Sequence, residues 1–205
     1  LVLYGSDRIK QNGLFDRIAA SLTEHGVAFA EQGGVVSNPK LSHVKKAIGQ
    51  MKAKNLQAVV AVGGGSVLDS AKAISAGTRY DGDVWDFFTG KAGVKDAVPV
   101  FAVMTLAATG SEMNRNSVIS NRATEQKMSF GSEKVYPRFS VLDPKVTYSL
   151  PKDQIRNGLV DAYVHILEQY LTYPVNAPVQ DRFAEGLLLT LIEEGPKALA
   201  EPENI

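Results

Sequence analysis

The chain passes from strand to helix at Val62-Gly63-Gly64-Gly65-Ser66-Val67-Leu68-Asp69, where three glycines separate the two patterns. Residues 58–62 are apolar throughout, which predicts a strand buried on both faces, and residues 66–76 predict a helix. Glycine lets the backbone approach a phosphate closely and adopt positive φ. The N-terminus of a helix adds free N–H groups and the positive end of its dipole. The turn therefore predicts a cradle for a pyrophosphate.

The glycine turn also has a purely structural interpretation. It departs from the common dinucleotide fingerprint because Leu68 stands where a third spaced glycine belongs, and no Gly-Lys-Ser/Thr follows as in a P-loop. A tight turn with Ser66 as N-cap and Asp69 closing a capping box would use the same residues. Ser66 and Asp69 are able to cap the helix and still face a ligand, so both interpretations stay open.

Short apolar runs alternate with amphipathic segments on either side of this turn. The predicted strands of the first part are residues 1–4, 27–30, 58–62 and 98–103. The predicted helices between them are residues 14–25, 41–54 and 66–76. This alternation predicts an α/β fold, with a Rossmann-like parallel sheet covered by helices.

The pattern changes twice further along the chain. Short strands that suggest a hairpin against the sheet are predicted at residues 117–120, 127–130 and 140–142. Long helices are predicted at residues 153–173 and 179–200. We therefore expect an α/β dinucleotide-binding domain over residues 1–150 and the start of an all-helical, metal-binding domain over residues 151–205.

The composition is that of a globular chain. Of the 205 residues, 44% are hydrophobic, and 22 basic side chains balance 22 acidic ones. This balance predicts no nucleic-acid or membrane partner, and the lack of cysteine excludes disulfides and thiolate metal sites. We expect a cytoplasmic protein. Because residues 1–4 resemble the inside of a buried strand with no leader before it, we also expect a fragment of something longer.

A second loop, rich in hydroxyl groups, follows the predicted strand 98–103. Loops at the carboxyl ends of strands line the ligand crevice of a doubly wound sheet. Thr105, Thr109 and Ser111 are suited to donate to phosphate or ribose oxygens. An ordinary polar loop that uses Ser/Thr turn chemistry is the alternative.

Asp161 and His165 form a candidate metal pair. Their spacing of four places both side chains on one face of the helix predicted at residues 153–173. A carboxylate oxygen and an imidazole nitrogen are then able to share one divalent cation, although a simple i,i+4 pair on a solvated face would look the same. Zinc and iron normally take three or four protein groups, so the pair is half a metal site at most.

In this order, the motifs resemble the iron-containing (group III metal-dependent) alcohol dehydrogenase family, and within it the bacterial NADPH-dependent aldehyde reductases and butanol dehydrogenases. The other stretches that carry the resemblance are Ala108-Thr109-Gly110-Ser111-Glu112, Val141-Leu142-Asp143-Pro144, Asn157-Gly158-Leu159-Val160-Asp161-Ala162-Tyr163-Val164-His165 and Gln180-Asp181-Arg182-Phe183-Ala184-Glu185-Gly186. The resemblance implies an oxidoreductase that interconverts alcohols and aldehydes with NADP or NAD and Fe²⁺ or Zn²⁺. It also implies a homodimer.

The resemblance assigns roles to single residues. It places Gly64, Gly65, Ser66 and Asp69 along the pyrophosphate and the ribose of the nicotinamide half. The further candidate cofactor contacts are Gly63, Thr105, Leu106, Thr109, Ser111, Asn114, Lys127 and Leu150. Asp161 and His165 match the first two metal ligands, and no residue here stands in for the family's other two metal-binding histidines.

The loop Gly5-Ser6-Asp7-Arg8 bears on the choice between NADP and NAD. A carboxylate in this region commonly binds the adenosine 2′-hydroxyl of NAD, whereas a small or cationic residue admits the 2′-phosphate of NADP. Ser6 and Arg8 therefore favour NADP, and Asp7 favours NAD if its side chain turns inward.

Two alternatives to an alcohol dehydrogenase or aldehyde reductase remain open. One is a nucleotide-binding module without turnover, because half of the metal site is absent. The other is a polyol dehydrogenase or a dehydroquinate-synthase-like lyase of the same superfamily, against which Thr109-Gly110-Ser111-Glu112 argues. Beyond the metal ligands we predict no catalytic residue, since the chain has no cysteine and no Gly-x-Ser-x-Gly elbow.

Overall fold

The computed structural model describes residues 1–203 and divides into two compact units. The first unit is Leu1–Asp143 and the second begins at Pro144, ahead of the domain boundary expected at residue 151. Within the described residues, no helix is both long enough and apolar enough to cross a membrane.

The described residues form seven strands and seven α-helices. The strands are β1 (Val2–Tyr4), β2 (Glu31–Gln32), β3 (Val59–Gly63), β4 (Val100–Met104), β5 (Asn116–Asn121), β6 (Gln126–Gly131) and β7 (Pro137–Val141). The helices are α1 (Arg8–Gln11), α2 (Leu14–Glu24), α3 (Leu41–Ala53), α4 (Gly65–Thr78), α5 (Trp85–Phe88), α6 (Lys152–Tyr170) and α7 (Pro178–Ala200). Short 3-10 turns lie at Ser111–Met113, Glu133–Val135 and Pro144–Thr147.

A five-stranded sheet in the order β2-β1-β3-β4-β7 runs through the first unit, and every neighbouring pair in it is parallel. This confirms the predicted α/β class with a Rossmann-like parallel sheet. Because all five strands point the same way, their carboxyl ends share one edge of the sheet. The loops that follow β1, β3 and β4 therefore meet at that edge.

The second strand lies later than predicted. Residues 27–30 are not a strand, because the Val27 N–H donates to Leu22 O (2.8 Å) and closes the C-terminal turn of α2 around Gly26, whose φ is +67°. Pairing with β1 begins only where the Val2 N–H donates to Ala30 O (2.8 Å). The two-residue strand β2 follows directly.

The group of short strands also divides differently from the prediction. β5 and β6 form the antiparallel hairpin, with Asn116 opposite Gly131 and Asn121 opposite Gln126. Residues 140 and 141 belong instead to β7, which pairs in parallel with β4 and so completes the main sheet. Sequence pattern alone did not distinguish a hairpin strand from a sheet strand, because both are short and partly exposed.

Helix α4 is the centre of the first unit. It contacts the sheet strands β1, β3 and β4 as well as α3 and β5. Its side chains at Leu68, Ala71, Ala73, Ile74 and Ala76 are 0% exposed. The alanines let neighbouring elements approach closely on several sides of the helix. A helix buried in this way has a fixed position relative to the sheet, and so do the groups at its N-terminus.

The second unit contains α6 and α7, which pack against each other. Gly195 is buried in α7, and a Cβ added there would lie 3.4 Å from Leu159 on α6. Helix α7 begins with Pro178 at a first-turn position, where the missing N–H of proline costs no intrahelical bond. Both predicted helices are thus present in this unit.

Candidate cofactor site and metal pair

The glycine turn lies at the carboxyl edge of the sheet. β3 ends at Gly63 and α4 begins at Gly65, with an extended Gly64 as N-cap (φ −93°, ψ −165°). The Val67 and Leu68 N–H groups donate to Gly64 O at 3.0 and 3.2 Å. The amides of Gly65 and Ser66 precede these first intrahelical bonds, and such amides are the groups that a helix N-terminus offers to an anion.

The capping box considered for Ser66 and Asp69 does not form. The N-cap is Gly64, and no side chain caps the helix, because α4 starts one residue earlier than predicted and Ser66 is already inside its first turn. Asp69 Oδ1 instead accepts from Ser111 Oγ (2.7 Å), and its Oδ2 accepts from the Val118 N–H (3.1 Å). The carboxylate therefore ties α4 to a distant part of the chain.

The second loop packs against the glycine turn. The Thr105 N–H donates to Gly63 O (3.2 Å). A Cβ added to Gly65 would lie 2.7 Å from Thr109 Cγ2, and one added to Gly64 would lie 3.3 Å from Leu106 Cβ. The structure thus brings together six residues predicted to contact the cofactor, with the Leu106 and Thr109 side chains lying directly against Gly64 and Gly65.

This packing changes the explanation of the glycines. From the sequence we expected room for a phosphate and a positive φ, yet Gly63, Gly64 and Gly65 are not among the positive-φ residues. The space beside Gly64 and Gly65 holds side chains of the protein's own second loop. Gly64 and Gly65 are needed because two loops meet there, and the first-turn amides remain the candidate anion-binding groups of the turn.

A buried lysine that the sequence analysis missed lies beside Asp69. Lys72 is 0% exposed, and its Nζ donates to Ser111 Oγ, Asn114 Oδ1 and Asn116 O, each at 2.9 Å. Burial lowers the pKa of Lys72 to about 8, while the negative charges of Asp69 and Glu112 act in the opposite direction. The sequence clue was a single lysine in an otherwise apolar stretch, three residues after an aspartate.

Asp69 is expected to make stability depend on pH. Burial raises the pKa of this carboxyl, although its bonds from Ser111 and Val118 and the charges of Lys72 and Lys127 oppose the shift. Between the ordinary and the raised pKa, the folded state binds more protons than the unfolded chain, so the contribution of Asp69 to the free energy of unfolding falls as pH rises.

The measurement compares urea unfolding of the wild type and Asp69→Asn at pH values from the ordinary pKa of an aspartate up to the raised pKa of Asp69. We expect the free energy of unfolding of the wild type to fall relative to that of the variant as pH rises. A difference that grows with pH would contradict the burial of an ionisable carboxyl at this position.

Lys127 and Asn38 approach the same region from β6 and from the loop after β2. Lys127 Nζ donates to Asn38 Oδ1 (2.8 Å), and Asn38 has a positive φ of 53°. The charge of Lys127 also lowers the pKa of Asp69. Asn38 was not predicted from the sequence, because only the fold brings its loop to β6.

The remaining predicted cofactor residues lie in two places. Ser6 and Arg8 follow β1 and are exposed, and the backbone of Asp7 between them caps α1 by accepting from the Lys10 N–H (2.9 Å). Leu150 lies in the second unit, where its N–H donates to Thr147 O (2.9 Å). These positions leave the roles of Ser6, Arg8 and Leu150 as predictions.

Asp161 and His165 lie one turn apart on α6, as predicted. Asp161 Oδ2 is 3.6 Å from His165 Nε2, and the two side chains are 60% and 66% exposed. An oxygen and a nitrogen donor at this separation suit a Zn²⁺ or Fe²⁺ ion. Within residues 1–203, no group of three or more His, Cys, Asp or Glu side chains is placed to hold a metal. The pair supplies two of the three or four ligands that such an ion takes.

Residues 1–144 match the family model for iron-containing alcohol dehydrogenases. Over its full length the chain is 47% identical to the NADPH-dependent aldehyde reductase YqhD of Escherichia coli (strain K12) and covers 53% of that protein. It is 41% identical to NADH-dependent butanol dehydrogenase A of Clostridium acetobutylicum, again over its full length, and covers 52% of it.

A solved structure is similar as well. The crystal structure of NADH-dependent butanol dehydrogenase A from Thermotoga maritima matches with a TM-score of 0.90 at 43% identity, over 99% of this chain and 51% of that one. The chain thus spans about half the length of the relatives that it matches.

Proposed function

Because the chain belongs to the iron-containing alcohol dehydrogenase family, we propose that it provides the nicotinamide-cofactor site and two metal ligands of an enzyme that interconverts alcohols and aldehydes. The observation that carries the proposal is the packing of the second loop on the glycine turn. It puts the side chains of Leu106 and Thr109 against Gly64 and Gly65, where α4 begins at the carboxyl edge of a parallel sheet. That edge is where doubly wound sheets bind nucleotides.

The residues of this edge suit the parts of a dinucleotide. The amides of Gly65 and Ser66, at the positive end of the α4 dipole, would hold the pyrophosphate. The hydroxyls of Thr105 and Thr109 would donate to phosphate or ribose oxygens, and the Asp69 carboxylate would accept from a ribose hydroxyl. In each case the protein's part is to fix the cofactor before chemistry begins.

The chemistry itself belongs to the bound groups. A nicotinamide gives or takes a hydride at C4, and a divalent cation polarises the alcohol or aldehyde oxygen. Asp161 and His165 would contribute to holding that cation. The alternative of a nucleotide-binding module without turnover is not favoured, because the relatives described above carry enzyme names.

We propose NADP as the preferred cofactor. Ser6 is small and Arg8 is cationic, and both are exposed directly after β1. An arginine pairs with a phosphate through charge-assisted hydrogen bonds. The relatives described above are named as one NADPH-dependent enzyme and two NADH-dependent enzymes, so the preference rests on Ser6 and Arg8 of this chain.

Calorimetric titration of the protein with NADPH and with NADH tests the proposal. We expect NADPH to bind more tightly than NADH, and Arg8→Glu to weaken NADPH binding by about tenfold or more, since a hydrogen bond to a charged group contributes about 1.5–3 kcal/mol. Tighter binding of NADH would overturn the choice of NADP. Failure of both nucleotides to bind would overturn the cofactor site itself.

Arg79→Glu is the matched control for this charge reversal. Arg79 is the C-cap of the 14-residue helix α4, at the end opposite to the glycine turn. At 1.5 Å per residue, the two ends are about 20 Å apart. The control is expected to bind NADPH with the affinity of the wild type.

A further inference from the structure

Lys72 is a fully buried charged residue on a helix whose other buried side chains are mostly apolar. It lies on α4 between Ala71 and Ala73, and all three are 0% exposed. Removing an ammonium group from water is costly unless hydrogen bonds replace the lost water. The hydrogen-bond partners of the ammonium group therefore have to account for its burial.

The three acceptors of Lys72 belong to one short segment. Ser111 Oγ, Asn114 Oδ1 and Asn116 O each accept from Nζ at 2.9 Å, and together they use all three N–H donors of the ammonium group. Asn114 Oδ1 also accepts from the Asn116 N–H (2.9 Å). Residues 111–116 are thus gathered around a single cation.

The ammonium group also sets the direction of the Ser111 hydroxyl. Because Ser111 Oγ accepts from Lys72, its own proton is free to be donated, and it goes to Asp69 Oδ1 at 2.7 Å. A chain of bonds therefore runs from Lys72 through Ser111 to Asp69. Chains of this kind strengthen each member, so removal of the ammonium group is expected to weaken the bond from Ser111 to Asp69 as well.

The segment held by Lys72 directly continues the second loop. Only Gly110, with a φ of +63°, separates Ser111 from Thr109, whose side chain lies against Gly65. The position of Ser111 consequently limits where Thr109 lies. The three hydrogen bonds of the Lys72 ammonium group all go to residues 111–116 and none goes to the glycine turn or to Thr109, so these bonds reach the second loop through this segment.

We propose that Lys72 is a positioning residue, whose three hydrogen bonds to residues 111–116 hold the second loop on the glycine turn and orient Asp69 for the cofactor. The inference rests on the proposed cofactor site. It adds a requirement for a charged group that does not itself contact the nucleotide.

The proposal predicts a loss of cofactor affinity in mildly alkaline solution. Burial lowers the pKa of Lys72 to about 8, with Asp69 on α4 and Glu112 in the adjoining 3-10 turn acting against the shift. Lys127 on β6 is the further charged group facing Asp69. Above this pKa the amine keeps two N–H donors for three acceptors. We expect NADPH affinity to fall as pH rises through about 8.

The test measures NADPH binding by the wild type and Lys72→Met at pH 6.5 and 9.5, together with amide hydrogen exchange of the free proteins. We expect the wild type to bind about tenfold more weakly at the higher pH, from the loss of one charge-assisted bond. At pH 6.5, Lys72→Met should bind NADPH more weakly than the wild type by a similar factor. The affinity of this variant should change little between the two pH values. Its residues 105–118 should exchange faster than those of the wild type, while α3 should not change.

Lys95→Met, an exposed lysine replaced in the same way, is expected to keep the pH profile of the wild type. If Lys72→Met does not fold, Lys72→Gln, which cannot titrate, takes its place. A folded variant with the affinity and pH profile of the wild type would overturn the inference and leave the proposed function intact. A wild type that binds no NADPH at either pH would overturn both.

Discussion

Gly65→Ala is expected to lower the free energy of unfolding by about 1–3 kcal/mol and to abolish measurable binding of NADPH. The added methyl group would lie 2.7 Å from Thr109 Cγ2 and 3.0 Å from Thr109 Cβ. Cβ is the rigid base of the Thr109 side chain, so a change of rotamer does not relieve the overlap. The second loop must move away from α4, and with it the hydroxyl groups that we assign to the cofactor.

Urea unfolding and calorimetric titration measure the two effects of this substitution. The matched control is Gly49→Ala, in the middle of α3, where an added Cβ meets nothing within 4 Å. Alanine is a better helix former than glycine. The free energy of unfolding of the control is therefore expected to rise by about 0.5–1 kcal/mol, and the control is expected to bind NADPH with the affinity of the wild type. If Gly65→Ala binds NADPH as the wild type does, the packing of Thr109 on Gly65 has no part in the cofactor site.

Leu68→Ala is expected to reduce the free energy of unfolding by about 2–5 kcal/mol, the cost of emptying a leucine-sized volume in a packed core. Leu68 is 0% exposed and belongs to the main hydrophobic cluster, one helical turn after the glycines. Helix α4 joins the sheet to α3 and β5. The void therefore weakens several contacts of the first unit at once.

Leu142→Ala makes the same chemical change at a site that is 61% exposed in the same unit. It is expected to alter the free energy of unfolding by no more than about 0.5 kcal/mol. Thermal or urea unfolding, followed by circular dichroism, measures both variants. If the free energy of unfolding fell equally in the two variants, α4 would not be packed as described.

Much of the first unit was predictable because strands and helices have different hydrophobic periods. The buried run before Gly63 and the helix after it needed no knowledge of distant residues. The prediction failed at residues 27–30, where Gly26 allows the chain to close the turn of α2 before β2 begins. It also failed to place β7, since a short, partly exposed strand carries no local sign of its partner.

In the candidate site, too, some residues were predicted from local pattern and others were recognised only from the fold. Gly64, Gly65 and Thr109 were recognised as separate motifs, and the fold brings them into contact. Lys72 and Asn38 were missed, because one is a lysine in a helix and the other an asparagine in a loop. Each hydrogen-bonds to a residue far away along the chain. Lys72 donates to Asn114, 42 residues later, and Asn38 accepts from Lys127, 89 residues later.

Local pattern was sufficient for the α/β class, the strand-glycine-helix turn and the pairing of Asp161 with His165, because each depends on residues a few positions apart. Contacts between distant residues set the remainder: which side chains fill the space beside the glycines, where the Asp69 carboxylate points and why Lys72 is buried. Those outcomes depend on packing and on hydrogen bonds between segments that approach each other only when the sheet has formed, and no spacing along the chain encodes them.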